Sequence, residues 1–249
     1  MNPPCQPTEA CETSPSRRAV AAVFTVRRIR RTTALTTRVG LLTAGATFIA
    51  VGVAVTLWTG LGAGPMDVLV ATINARTGLA IPFVVWLVAG TLMTAATLIG
   101  RRPGLGTVLA PLIVGPVLGF VRSLLATVPP PSNAAAVVAW HLAGVATMGL
   151  GAGALIVAGL GPGTGELLAG ATSRRTGRRE PHIRAGFEMT WLAIALVLGG
   201  PFGFGTLIVA ILIGPAVANG SRIVDLATAR PVRRIRTAWA TDREFATAA

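Results

Sequence analysis

The sequence predicts an all-α polytopic membrane protein: six transmembrane helices, built as two inverted three-helix repeats with short half-helices. Three observations predict it. Of 249 residues, 52% are hydrophobic and 12% charged, about half the charge of an average soluble domain. The apolar residues fall in runs of about twenty, the length that crosses a hydrocarbon core. One stretch also occurs twice, because residues 60–116 and 159–215 align without a gap at an offset of 99. Gly60, Gly62 and Gly64 fall on Gly159, Gly161 and Gly163, and Arg76-Thr77-Gly78 on Arg175-Thr176-Gly177. Gly104, Gly106 and Thr107 fall on Gly203, Gly205 and Thr206, and Gly115-Pro116 on Gly214-Pro215. Motifs held in one register over that length mark a duplicated structural unit.

The chain divides into a tail at 1–38, a first three-span repeat at 39–126, a proline-rich loop at 127–133, a second repeat at 134–220 and a tail at 221–249. The first residues are rich in Pro, Thr, Glu and Ser, a composition too polar to pack. They hold Cys5 and Cys11, which form neither a disulfide framework nor a metal site. Arg27, Arg28, Arg30 and Arg31 then make a basic flank suited to anionic lipid headgroups. Spans are expected at 39–59, 81–99, 105–126, 134–158, 185–198 and 204–219. The fifth is short unless it recruits residues before it. Between spans lie two short segments, 65–75 and 165–173. In the first, Met66, Leu69, Val70 and Ile73 share one helical face. Neither is long enough to cross, so each is interfacial or re-entrant.

All 22 basic residues other than histidine are arginines, and the net charge is +13. That charge does not point to nucleic acid, because the arginines flank apolar runs instead of covering one soluble face. Flanking arginines orient spans, with the rich loops inside. The N-terminal flank, Arg101-Arg102, the stretch from Arg174 to Arg184 and the C-terminal tail are rich; the loops near 60–80, 127–133 and 199–203 are poor. Six spans with both termini cytoplasmic put every rich segment on one side. Three spans per copy then invert the second copy, which predicts halves related by a pseudo-two-fold axis in the membrane plane.

With GLGAGPMD at 60–67, RTG at 76–78 and 175–177, GLGT at 104–107, GLGPGTGELL at 159–168, GGPFGFGT at 199–206 and LIGP at 212–215, the chain resembles the YczE/YitT-type bacterial integral membrane proteins. Arg184 with Glu188 belongs to the same pattern. The resemblance covers about residues 39–222. It implies a multi-span protein of the bacterial inner membrane and no established activity. Where such proteins carry an aspartate after the second glycine-rich turn, this chain has Thr164-Gly165-Glu166.

Asp67 and Glu166 stand at equivalent positions. As caps they complement the helix macrodipole, with Pro65 at the first helical position. As an ionisable pair they line a proton or cation path, since acids near the membrane interior are functional candidates. Arg184 and Glu188 are four apart and share a helical face, either as an interfacial ion pair or as part of the path. Glu188 lies about a turn inside its apolar run, where a charge costs about 3 kcal/mol on insertion scales. It is therefore the leading candidate. Pro116 and Pro215 lie within the third and sixth spans and free the carbonyls of Leu112 and Ile211, either as symmetric helix breaks of the kind transporters use for binding or as kinks that shape packing. His141 stands alone in the fourth span and reads as a core or interhelical hydrogen-bonding residue.

No nucleotide-binding loop, HExxH or nucleophile elbow is present. The sequence therefore assigns no catalytic residue, metal or cofactor, and no enzyme activity. Two functions compete. One is a small-solute or ion transporter with proton or cation involvement; the other is a non-transporting membrane scaffold or assembly factor. The expected partners are the lipid bilayer and an unknown small solute. Whether the chain forms a homo-oligomer stays open.

Overall fold

The structure is a computed structural model that describes residues 35–200 and 202–246, with side chains through Thr228. The N-terminal basic flank up to residue 34, both cysteines and the side chains of the C-terminal tail after Thr228 lie outside that description. Eight helices are present among the described residues and no strand. They are α1 (Leu35–Trp58), α2 (Pro65–Thr77), α3 (Ile81–Leu98), α4 (Leu105–Leu125), α5 (Ala134–Ala158), α6 (Thr164–Thr176), α7 (Glu180–Val197) and α8 (Phe204–Ala246). The sequence offset recurs in the helices. α6 and α7 begin and end 99 positions after α2 and α3, and α5 and α8 begin 99 positions after α1 and α4.

Five of the helices are long and apolar enough to cross a membrane: α1, α3, α4, α5 and α8 over Phe204–Thr228. The 18-residue α7 is not among them, since it carries Glu180, Arg184 and Glu188. It does recruit residues before 185. The last helix runs well past the expected end at 219, through the tail to Ala246.

α1 and α5 form the centre. They run antiparallel and approach closely because glycines face each other at two levels. A Cβ at Gly45 would lie 2.7 Å from the Gly151 carbonyl, and one at Gly144 would lie 3.0 Å from the Gly52 carbonyl. Gly144 and Gly151 are the counterparts of Gly45 and Gly52, so each helix offers the other the same pair. Small residues allow close backbone approach of this kind, which supplies dispersion contacts where no hydrophobic driving force acts between spans. α4 packs on α1 through Ala50, Val53, Ala54 and Leu118. α8 packs on α5, where Gly149 meets Ala216.

The remaining four helices form a second group. α2 packs on α7 and α6 on α3, so each short helix leans on the opposite half. The repeated motifs explain how the short helices are held. RTG is a helix stop: Gly78 and Gly177 take left-handed φ values of 70° and 68°, open to glycine without strain. Their amides donate to the carbonyls of Asn74 and Ser173, each at 2.9 Å. Arg76 Nε also donates to the Leu198 carbonyl at 2.8 Å, capping the end of α7 from the other half. The glycine-rich turns form a reciprocal clasp. Gly205 N–H donates to the Leu61 carbonyl at 2.8 Å, and Gly106 N–H to the Leu160 carbonyl at 2.9 Å.

The expected helix breaks at Pro116 and Pro215 are not found. α4 contains both Pro111 and Pro116 and continues through them, and α8 continues through Pro215. A proline removes one amide donor from the ladder, but the turns on either side hold, so the two prolines are interior residues of intact helices.

Candidate functional site

The ionisable residues singled out in the sequence converge where α2, α6 and α7 meet. Arg184 Nη1 lies 2.9 Å from Glu166 Oε1, and Arg184 Nε lies 3.0 Å from Glu188 Oε1. One guanidinium thus bridges an acid of its own helix and an acid of α6. The i,i+4 spacing places the first pair on one face; tertiary packing of α6 on α7 supplies the second. The side chains of Arg184, Glu166 and Glu188 keep 47%, 41% and 29% of their surface, so the cluster is open rather than sealed. Glu188 lies near the middle of α7, as far from either helix end as a residue there can be.

Asp67 and Glu166 each stand at the third residue of a short helix, and each carboxylate folds back over the glycine before the helix. A Cβ at Gly64 would meet Asp67 Oδ2 at 2.7 Å, and a Cβ at Gly163 would meet Glu166 Oε2. Acids so placed complement the positive helix end. Their company differs, however. No cation pairs with Asp67 among the described residues, because the counterparts of Arg184 and Glu188 are Val85 and Ala89. α2 does not span, and the protein packed around Asp67 pushes its carboxyl up to about 7, with the nearby charge of Glu188 adding to the effect.

Apolar residues brace this group. Trp191 stacks on Phe187 and packs against Leu167 and Leu168 of α6 and Leu69 of α2. That bracing role is not legible in sequence, since an aromatic inside an apolar run is unremarkable until its neighbours are known. His141 is fully buried and sits apart from the acids. Its Nε2 lies 3.2 Å from the Gly205 carbonyl and its Nδ1 3.0 Å from Thr59 Oγ1. A carbonyl only accepts, so Nε2 carries the proton and donates. His141 therefore ties α5 to the start of α8 and the end of α1, the interhelical role expected of it.

Comparison with known proteins places this arrangement. Residues 36–221 match the family model described as "Family of unknown function (DUF6198)". The chain belongs to this family. The match runs from the start of α1 into α8 and leaves out most of both tails. Over 175 residues the chain is 31% identical to "Uncharacterized membrane protein YczE" of Bacillus subtilis, covering 69% of this chain and 79% of that one. Over 169 residues it is 27% identical to an "Uncharacterized protein" of Haemophilus influenzae, covering 68% and 76%. No solved structure matches the chain. The chain is thus a YczE-type integral membrane protein with several apolar helices.

Proposed function

We propose that this protein is a small-solute or ion transporter of the bacterial inner membrane that uses proton or cation binding at Glu188. α7 serves as the sixth span, both termini are cytoplasmic, and the halves are inverted repeats. The antiparallel crossing of the equivalent helices α1 and α5 supports the inversion, since equivalent spans that run in opposite directions have opposite topology.

The observation that carries the transport reading is the Glu166–Arg184–Glu188 cluster. It joins a short helix to the middle of α7, it remains partly accessible, and Asp67 adds a third carboxylate nearby. Two acids share one guanidinium and a third stands beside them unpaired, so the group holds an excess of acidic groups within an apolar assembly. Such a group binds protons or small cations in preference to anions. Inverted repeats with short helices converging on ionisable residues are the architecture that alternating-access carriers use.

The test is flux in proteoliposomes across a panel of solutes under an imposed proton or sodium gradient. Glu188→Gln should abolish gradient-driven uptake while the purified variant keeps the parent's melting profile. Uptake unchanged in Glu188→Gln would refute the assignment of Glu188.

A further inference from the structure

The two halves carry the same helices in different arrangements. In the first half α3 lies on α4. Gly115 is buried there, and a Cβ on it would come within 3.1 Å of both Pro82 Cα and Trp86 Nε1. Trp86 Nε1 donates to the Pro111 carbonyl at 3.1 Å, and Ile81 and Val85 join the core around Leu118. In the second half α7 scarcely touches α8. Gly214, the counterpart of Gly115, is exposed, and a Cβ on it would meet nothing within 4 Å. α7 buries one residue, Ala195, and that residue packs with Ala63, Val68 and Leu69 at α2. α7 is therefore held by the two short helices, with an open groove between it and α8.

The sequence nevertheless keeps the proline and the central glycine of the missing contact. Pro181 stands for Pro82, Gly214 for Gly115 and Ala218 for Gly119. We propose that α7 closes onto α8 over Gly214, forming the contact that α3 makes over Gly115, and that α3 leaves α4 as it does so. This rests on the transporter reading, because an exchange of arrangements between inverted halves is how a carrier faces each side in turn.

Charge makes the closure conditional. The face that α3 turns to α4 carries Ile81, Pro82 and Val85; the same positions on α7 are Glu180, Pro181 and Arg184. Closing buries Arg184 and its partners against the counterparts of the α4 core, Ile213 and Val217. The groups facing that cluster are Glu166 from α6 and Asp67 from α2, with Glu180 and Glu188 on α7 itself and Arg101 lying over Gly170 beside Glu180. An uncompensated charge is costly to bury, whereas a neutralised cluster is much less so. Uptake of positive charge by these carboxylates therefore favours closure.

Disulfide trapping in membranes tests this in the full chain carrying Cys5→Ser and Cys11→Ser. A Cβ at Gly119 would lie 3.9 Å from Ile81 Cβ, inside the range of about 3.5–4.5 Å that a disulfide needs. Ile81→Cys with Gly119→Cys should therefore link, and it reports the arrangement described. Glu180→Cys with Ala218→Cys, both exposed positions, should also link within one chain, though the arrangement described keeps them apart. With an added oxidant, its linking rate relative to that of the 81–119 pair should rise about threefold or more on acidification, or on adding sodium in place of choline, as neutralising the buried charges removes their cost; the ratio cancels the loss of reactive thiolate in acid. The first response marks a proton and the second a metal ion. Absence of the 180–218 link while the 81–119 link forms overturns the proposal. A link found only between two copies also overturns it, since a second chain then fills the groove. A ratio indifferent to both acid and sodium overturns the charge condition. A 180–218 link without flux of any solute refutes the transporter reading and leaves the closure standing; flux without the link does the reverse.

Discussion

α3 and α7 occupy the same place in the two halves and are held in opposite ways. α3 buries Val84, Ala89, Leu92 and Ala96 and seats its proline on the glycines of α4. α7 buries Ala195 alone and is tied to α6 by an ion pair. The difference comes down to a few exchanges within one helix. Val85 becomes Arg184, Ala89 becomes Glu188, Trp86 becomes Ala185 and Ile81 becomes Glu180. The two copies share the backbone plan, the turns and the clasps, and the second alone carries charge in the middle of this helix. One helix is thus held by apolar packing and the other by an ion pair.

That contrast breaks first at Trp86. Trp86→Ala removes the aromatic wedge between α3 and α4 and its hydrogen bond to Pro111, and should cost about 3 kcal/mol. The equivalent Ala185→Trp sits on an open face and should change stability by less than about 0.5 kcal/mol. Denaturation of the purified variants in one detergent checks both; equal losses would erase the distinction between the helices.

The acids sharpen the comparison next. Asp67 has its carboxyl raised to about 7, against 3.8 for the ordinary group. The folded state therefore binds its proton more tightly than the unfolded chain does, and stability falls as pH rises from the ordinary value through about 7. Asp67→Asn should remove that slope and raise the melting temperature in alkaline buffer. Glu166→Gln, at the equivalent position, should lower it, since it takes a partner from Arg184. Melting curves across pH decide the signs, and matching signs would show that the two short helices are chemically alike.

Glycines give a smaller contrast. Gly115→Ala forces a methyl against Pro82 and Trp86 and should cost about 1–3 kcal/mol. Gly214→Ala meets no neighbour and should gain up to about 1 kcal/mol from helix propensity. The smallest effect belongs to the ion pair. A double-mutant cycle on Arg184→Ala and Glu188→Ala should give a coupling of about 0.5 kcal/mol in stability, as partly exposed pairs do. A coupling several times larger would mean that the cluster is buried in the membrane-embedded protein.

Much of the fold was legible because it depends on local pattern. Run length fixed the long helices, and the repeat fixed how they correspond. The spacing of Arg184 and Glu188 announced their pairing. What escaped reading depends on contacts between distant segments. Glu166 joins Arg184 only because α6 folds back along α7, and Arg76 caps α7 from 122 positions away. Pro116 and Pro215 misled because local rules give the cost of a proline in a helix, while the packed turns on either side decide whether the helix survives it. The RTG motif was visible as a repeat, yet its role as a stop appears only once Gly78 and Gly177 are seen in the left-handed region.

The reciprocal clasp bears on how the protein is made. Leu61 emerges early from the ribosome and waits for Gly205, while Leu160 finds Gly106 already synthesised. The first half inserts with one turn unclosed, and the last helix to arrive completes it. Neither half holds its own glycine-rich turn, so each is an incomplete folding unit with a socket for the other. Two fragments split in the proline-rich loop and produced together should assemble into a stable complex, whereas either fragment produced alone should be degraded.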